Sequence, residues 1–188
     1  MSADRDRPRR PPPRQPQPPP ASNPRPSGAP HSGKGVSPPP THGFKFARAS
    51  GDHLLDIIEI ERLSFSEPWP ETAFLEELAN DNASYFVALS PGGAVVGFCG
   101  YWRVADEAHV MNIAVNPRER RHGVGMELLR LLLRDAAERG MVIAFLEVRE
   151  DNAPAIALYE RFGFVRCGFR ENYYAKEGKS AIVMRASL

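Results

Sequence analysis

The sequence has only two cysteines and no apolar run long enough to cross a membrane. Cys99 and Cys167 stand far apart, each in an apolar stretch, which indicates buried, reduced thiols rather than a disulfide framework or a metal site. A spanning helix needs roughly 20 apolar residues, and the N-terminus lacks the apolar core of a secretory signal. We therefore expect a cytoplasmic protein with no membrane association and no bound metal.

The sequence also lacks a strong excess of either charge. Its 24 Lys and Arg residues nearly balance 23 Asp and Glu residues, and the formal net charge is +1. Bulk electrostatics therefore indicates neither nucleic acid nor a membrane surface as a partner. No basic stretch is interleaved with aromatic residues in the way that single-strand binders require, so no direct nucleic-acid contact is expected. The sequence does not specify the oligomeric state, and a monomer is favoured.

Aromatic side chains are absent from residues 1–42, which hold 14 of the 19 prolines. Val36 is the only branched aliphatic residue in this segment. Such a composition cannot bury enough apolar surface to offset the entropy lost on ordering. We predict a disordered, partly polyproline-II tail at 1–42 and one folded domain at 43–188. The tail carries seven Arg or Lys and two Asp, so it is either solvated without a partner or in weak contact with RNA or ribosomes.

Apolar periodicity after residue 43 predicts a domain that mixes helices and strands. Helices are expected near 54–64, 72–79, 124–139 and 152–162. Strands are expected near 44–48, 84–89, 94–104, 107–115, 142–148 and 180–185, and a further strand starts at 163–165. The run at 142–148 is almost continuously apolar, as a central strand covered on both faces would be. An α/β or α+β fold follows, with a mixed sheet of six to seven strands and about four helices.

A basic, glycine-containing loop connects the strand at 107–115 to the helix that follows it. It contains two glycines and three arginines: Gly123, Gly125, Arg118, Arg120 and Arg121. Glycines let a ligand approach the backbone, and a helix start offers unpaired N–H groups to an anion. The loop is therefore a candidate diphosphate site, although a tight turn with solvated arginines fits the same residues. It is neither a P-loop nor the three-glycine dinucleotide fingerprint.

The loop resembles the acetyl-CoA pyrophosphate motif of the GNAT superfamily of N-acetyltransferases, Arg/Gln-x-x-Gly-x-Gly/Ala, which Arg120, Gly123 and Gly125 fill. Residues 152–164 likewise resemble the superfamily signature Asn-x-x-Ala-x-x-Leu-Tyr-x-x-x-Gly-Phe. More narrowly, four stretches are similar to the RimI-type enzymes, which acetylate the N-terminal alanine of ribosomal protein bS18: 65–69, 112–115, 146–149 and 170–174. The resemblance covers about residues 44–188 and leaves the tail unexplained.

The resemblance implies a GNAT fold whose sheet splays between its fourth and fifth strands, with acetyl-CoA as the cosubstrate in the opening and no metal. Three strand residues, Ile113, Ala114 and Val115, would offer backbone groups to pantetheine. The main chain of the loop and of the helix start would hold the diphosphate. The implied cofactor-binding residues beyond the strand are Arg120, Arg121, His122, Gly123, Val124, Gly125, Met126 and Asn152.

Glu147 interrupts the otherwise apolar run at 142–148. Desolvation there raises the pKa of a carboxyl toward a range useful for a general base. From position alone, a structural ion pair with Arg149 or another arginine explains Glu147 better. The RimI-type resemblance implies instead that Glu147 is the general base and that Tyr159 is the general acid facing the CoA sulfur. Core packing is the alternative for Tyr159, and a helix cap is the alternative for Asn152.

The linker residues Phe65 and Trp69 are implied to contact the acceptor. Nine acidic residues stand between Asp52 and Asp81 against the single Arg62, which predicts a negative wall that attracts cationic substrates. The expected acceptor is the α-amino group of a protein N-terminus, in a basic ribosomal protein. Two alternatives stay open: an acetyltransferase that modifies lysine side chains or a small-molecule amine, and a non-catalytic module that binds CoA or the ribosome.

Overall fold

The computed structural model describes residues 43–188, and the tail predicted at 1–42 lies outside these described residues. The α-helices are α1 (Leu54–Ser64), α2 (Glu71–Leu78), α3 (Val124–Glu138) and α4 (Ala153–Arg161). The strands are β1 (Lys45–Arg48), β2 (Ala83–Leu89), β3 (Val95–Val104), β4 (Glu107–Val115), β5 (Ile143–Arg149), β6 (Val165–Tyr174) and β7 (Lys179–Ser187). Across residues 43–188, no helix combines the length and apolarity that crossing a bilayer requires.

The strands form one mixed sheet in the order β1-β2-β3-β4-β5-β7-β6. Neighbouring strands are antiparallel except β4 and β5, which are parallel and joined by the crossover helix α3. The predicted mixed sheet of six to seven strands with about four helices is therefore confirmed.

Helices cover both faces of the sheet. Side chains of α1 and α2 form one apolar cluster with β2 and β3, and α3 and α4 contribute to a second cluster on the other face. The β5 residues Ala144, Leu146 and Val148 belong to this second cluster. Because successive side chains of a strand point to opposite faces, Glu147 lies on the α1/α2 face.

The parallel pair β4–β5 is held together only at its start. Residues 107–109 of β4 pair with residues 143–145 of β5, and pairing stops there. The register between β3 and β4 shifts at Met111, which is the extra residue of a β-bulge. Beyond this bulge the two strands diverge and leave a cleft between them. The predicted splay between the fourth and fifth strands is thus confirmed.

Candidate active site

The opening between β4 and β5 is a cleft of about 260 Å³. Its walls come from both strands, the linker after α1, helix α4 and the end of β6. It brings together five residues that the sequence had indicated: Phe65, Ile113, Glu147, Asn152 and Tyr159. These residues are far apart in the chain, and they line one cleft because β4 and β5 separate beyond residues 109 and 145.

Glu147 lies in this cleft with a side chain that is 14% exposed, and its Oε1 is 2.9 Å from Nη2 of Arg170. Burial raises the pKa of its carboxyl, and the positive charges of Arg170 and then His109 partly oppose that rise. The ion pair weighed against a catalytic role is therefore present. Its partner is Arg170, since Arg149 pairs with Asp151 and Glu177. The carboxyl still faces the cleft, so the pair leaves it placed to accept a proton.

Tyr159 approaches the cleft from the other face of the sheet, because α4 packs there with the second apolar cluster. Burial raises the pKa of its phenol to about 12, so the hydroxyl keeps its proton at neutral pH. Its ring packs against Phe164 with centroids 5.9 Å apart. Glu147 and Tyr159 therefore line the cleft from opposite faces of the sheet, with a carboxyl on one side and a phenol on the other.

Asn152 serves the fold as well as the cleft. Its Oδ1 accepts a hydrogen bond from the Ala155 amide at 3.3 Å, which caps α4. The same residue lines the cleft beside Tyr159. The helix-cap interpretation thus holds, and a contact with a bound cofactor remains available to Asn152.

The free backbone edge of β4 faces the cleft at alternate residues. Asn116 donates its amide to Val96 of β3 at 2.8 Å, so the main-chain groups of Ala114 and Asn112 also face β3. The main-chain groups of Ile113, which lines the cleft, and of Val115 therefore face away from β3, and their contact with pantetheine stays a prediction. The Val115 carbonyl accepts the Arg120 Nε at 3.1 Å, which leaves its amide for a ligand. The Ala114 side chain is buried in the cluster beneath α1.

The loop before α3 has the backbone geometry of an anion site. Gly123 caps the helix with a φ of 81°, and Arg121 also has a positive φ, 71°, which is unusual for a non-glycine residue. The first helical hydrogen bonds run from Met126 and Glu127 to the Gly123 carbonyl. The amides before Met126 therefore stay available to a phosphate.

Two side chains of this loop contact its own backbone. Arg120 donates to the Val115 carbonyl at the end of β4, and Nδ1 of His122 lies 3.3 Å from the Glu119 carbonyl oxygen. Val124 and Met126 are buried, so only their main chain is open to a ligand. Arg121 is exposed. None of these loop side chains lines the cleft, and within residues 43–188 they stand beyond the end of β4.

The two predicted acceptor residues have different surroundings. Phe65 lines the cleft, whereas Trp69 packs against Phe74 with ring centroids 5.6 Å apart and belongs to the apolar cluster beneath α1. The negative wall is also thinner than the sequence indicated. Glu61 and Glu77 are buried, and Glu67 lies 3.4 Å from the Lys176 ammonium.

Several cleft residues received no role from the sequence. Tyr174 and Glu177 line the cleft, and burial raises the pKa of the Tyr174 phenol above its usual value. Glu177 accepts hydrogen bonds from Ser66 and Arg149, which joins the linker after α1 to the turn after β6. The similarity at 170–174 was a signal for Tyr174 and Arg170. Ser66 and Glu177 had no local signal, because their pairing spans 111 residues.

The site fits the cosubstrate that the sequence implied. A free strand edge suits the amides of pantetheine, and a basic helix start suits a diphosphate. Asn112 adds a buried carboxamide at the cleft, 9% exposed, whose polar atoms have no hydrogen-bond partner within the described part of the chain. In the same part of the chain no cluster of His, Cys, Asp and Glu is arranged to hold a metal.

Comparison with known proteins agrees with this geometry. Residues 54–164 match the model of the Acetyltransferase (GNAT) family. The chain is 40% identical over 132 residues to N-alpha-acetyltransferase RimI of Mycobacterium tuberculosis, which covers 68% of this chain and 81% of that protein. It is 39% identical over 128 residues to the [ribosomal protein bS18]-alanine N-acetyltransferase of Escherichia coli, covering 66% of this chain and 84% of that protein.

A solved structure extends the comparison to the fold. The crystal structure of a ribosomal-protein-alanine N-acetyltransferase from Escherichia coli superimposes with a TM-score of 0.71 at 34% identity. The match covers 77% of this chain and 93% of that one. The chain therefore belongs to the GNAT family and is an acetyl-CoA-dependent acetyltransferase.

Proposed function

We propose that this protein acetylates the N-terminal α-amino group of a protein, with the N-terminal alanine of ribosomal protein bS18 as its principal acceptor. The observation that carries the proposal is the placement of Glu147 and Tyr159 on opposite sides of one cleft. The names and functions of the relatives at 39% and 40% identity support the choice of an N-terminal acceptor. We expect the protein to act in the cytoplasm as a monomer.

Acetyl-CoA supplies an acetyl group activated as a thioester. The main chain of Ile113 and Val115 would hold its pantetheine arm, and the amides at Gly123 to Gly125 would hold the diphosphate. The exposed charge of Arg121 favours that dianionic group. One β4 amide facing the cleft would stabilise the oxyanion that forms on the thioester carbonyl.

Glu147 prepares the acceptor. An N-terminal ammonium has a pKa of about 8, and only its neutral form attacks a carbonyl. The Glu147 carboxylate takes that proton, directly or through a water molecule, on the α1/α2 face of the cleft. Tyr159, on the other face, donates its hydroxyl proton to the departing thiolate. The amine would thus approach the thioester carbonyl from the side of Glu147, and the thiolate would leave toward Tyr159.

The acceptor enters beside the linker. Phe65 and Tyr174 line this side of the cleft, and the Ser66–Glu177 hydrogen bond joins the two segments that carry them. We expect this side of the cleft to receive a chain end whose first side chain is small, such as alanine.

Mass spectrometry of the full-length protein with acetyl-CoA tests the assignment. Two peptides share one sequence that starts with Ala and contains an internal Lys. The first has a free N-terminus, and the second has a blocked N-terminus. We expect a gain of one acetyl group on the free peptide alone. Acetylation of the blocked peptide would favour the lysine-modifying alternative. Tight CoA binding without any acetylation would favour the non-catalytic alternative.

A further inference from the structure

Glu61 occupies a place in α1 that the helix pattern reserves for an apolar residue. Leu54, Ile57 and Ile58 form the buried stripe of α1, and Glu61 continues it at the next helical position. The residue is 2% exposed, and its Oε2 has no hydrogen-bond partner within residues 43–188. A buried carboxyl is costly unless it is paired, so its presence in this stripe indicates a specific task.

The hydrogen bond that this carboxyl makes within residues 43–188 connects α1 to the linker that follows it. Oε1 of Glu61 accepts a hydrogen bond from the amide of Trp69 at 3.1 Å. Trp69 ends the linker that follows α1, and three residues of this linker line the cleft: Phe65, Ser66 and Glu67. The Glu61 side chain therefore holds the linker backbone at Trp69 from its buried position on α1.

A second set of contacts holds the same linker from across the cleft. Ser66 donates a hydrogen bond to Glu177, and Oε1 of Glu67 lies 3.4 Å from Nζ of Lys176. Lys176 and Glu177 both lie in the turn between β6 and β7. These side chains are exposed, so solvent weakens their ion pair. The contact with Glu61 is the buried one of the three, and it fixes the backbone itself.

We propose that Glu61 is a positioning residue for the acceptor: by holding the Trp69 amide, it sets the path of residues 65–69 and so the shape of the acceptor side of the cleft. This inference rests on the proposed function, because it concerns the binding of the peptide chain end. Glu61 does not contact the reacting atoms, and the cofactor side of the cleft is formed by other elements.

The surroundings of Glu61 make this contact sensitive to pH. The Tyr85 phenol on β2 lies close enough to interact electrostatically with Glu61 and also with the Glu77 carboxyl on α2, whose Oε2 accepts a hydrogen bond from the Trp102 indole. Burial raises the pKa of Glu61 to about 7, and the hydrogen bond from Trp69 only partly opposes this rise. As the pH falls through about 7, the ionised form, which is the stronger acceptor, is lost.

Three variants of the full-length protein separate positioning from catalysis. Glu61→Leu fills the apolar stripe and removes the acceptor of the Trp69 amide, Glu61→Gln keeps an acceptor oxygen of the same shape, and Glu138→Gln removes an exposed carboxyl from α3, on the other face of the sheet. For Glu61→Leu we expect the KM for the Ala-initiated peptide to rise on the order of tenfold, the scale of one lost hydrogen bond to a charged group. The Kd for acetyl-CoA and the kcat should stay near wild type. Glu61→Gln should restore most of the affinity for the peptide, and Glu138→Gln should leave the KM unchanged.

Hydrogen exchange of the linker amides at Phe65, Ser66, Glu67 and Trp69 provides a readout that does not depend on any substrate. We expect the Trp69 amide to exchange on the order of tenfold faster in Glu61→Leu and to stay protected in Glu138→Gln. Unchanged exchange together with an unchanged peptide KM would overturn the proposal. Faster exchange with no peptide acetylated by the wild-type protein would instead count against the proposed function and leave the anchoring role in place.

Discussion

At the scale of single residues, burial raises the pKa of two acids, which strengthens the Glu147 carboxylate as a base and weakens the Tyr159 phenol as an acid. The pKa of the phenol rises to about 12. Arg170, 2.9 Å from Glu147, limits the first effect. The carboxyl therefore stays available as a base, and the phenol stays protonated as an acid.

Glu147→Gln should retain its affinity for acetyl-CoA and lose acetyl transfer by about 10²-fold or more at neutral pH, the usual scale for removal of a general base. The wild-type kcat/KM should fall as the pH drops through the pKa of Glu147, because the protonated carboxyl cannot accept a proton. The part of this acid limb that comes from Glu147 should be missing from the variant, whereas the parts that come from the substrate ammonium and from Glu61 should remain. Steady-state rates between pH 5.5 and 8.5, with calorimetry for the cofactor, measure both effects.

The matched control is Glu160→Gln, which removes an exposed carboxyl from α4. It should leave the rate and the pH profile unchanged. A near wild-type rate for Glu147→Gln would contradict the assigned base. Proximity of the bound amine and thioester would then be the better explanation of the rate.

At the scale of elements, local patterns could be read from the sequence and distant pairings could not. The strand, loop and helix around Gly123 were predictable because apolar periodicity and turn residues are local signals. The length of β6 was not, since its residues at the sheet edge are mostly exposed and show no alternation. The sequence left the partner of Glu147 open as Arg149 or another arginine, because Arg170 lies on a strand two places away in the sheet. The ring of Trp69 packs on Phe74, and its contact with the acceptor stays a prediction.

The bulge that opens the cleft adjoins a close contact between strands. Tyr85, Gly100 and Asn112 face one another across β2, β3 and β4, directly beside the register shift at Met111. The ring of Tyr85 lies over Gly100, where an added Cβ would be 2.3 Å from Cε1 of that ring. The absence of a side chain at position 100 is therefore what lets the tyrosine cover β3 toward β4.

Gly100→Ala should force this buried ring or the strand beneath it to move. Overpacking of this kind costs roughly 1–3 kcal/mol, which corresponds to a melting temperature lower by roughly 3–10 °C in a domain of this size. Gly51→Ala is the control, because an added Cβ there meets no atom within 4 Å. Thermal unfolding of both variants makes the comparison, and equal melting temperatures would show that the Tyr85 ring has room to shift.

At the scale of the whole molecule, a net charge of +1 conceals a separation of charge. Six exposed carboxyls remain on and around α1 and α2 after the buried and paired ones are removed: Asp52, Asp56, Glu59, Glu71, Glu76 and Asp81. Exposed arginines lie at the cofactor loop, at the end of β4: Arg118, Arg120 and Arg121. The surface around α1 and α2 is thus negative and the loop before α3 is positive, and we propose that the first attracts a cationic acceptor and the second an anionic cosubstrate.

This separation predicts a preference among acceptor peptides. Of two Ala-initiated peptides, one with Arg and one with Glu at positions three to six, the Arg peptide should have the higher kcat/KM at low salt, by about tenfold. The ratio should approach one near 1 M salt, where screening limits the field to about 3 Å. The double variant Glu71→Gln with Glu76→Gln should lower the ratio at low salt. Glu138→Gln, an exposed carboxyl on α3 and thus across the sheet, should not. Equal efficiency on the two peptides at low salt would rule out selection by this surface. It would leave the cleft entrance, with Phe65 and Tyr174, as the source of specificity, since contact with apolar side chains is insensitive to the charge that follows the first residue.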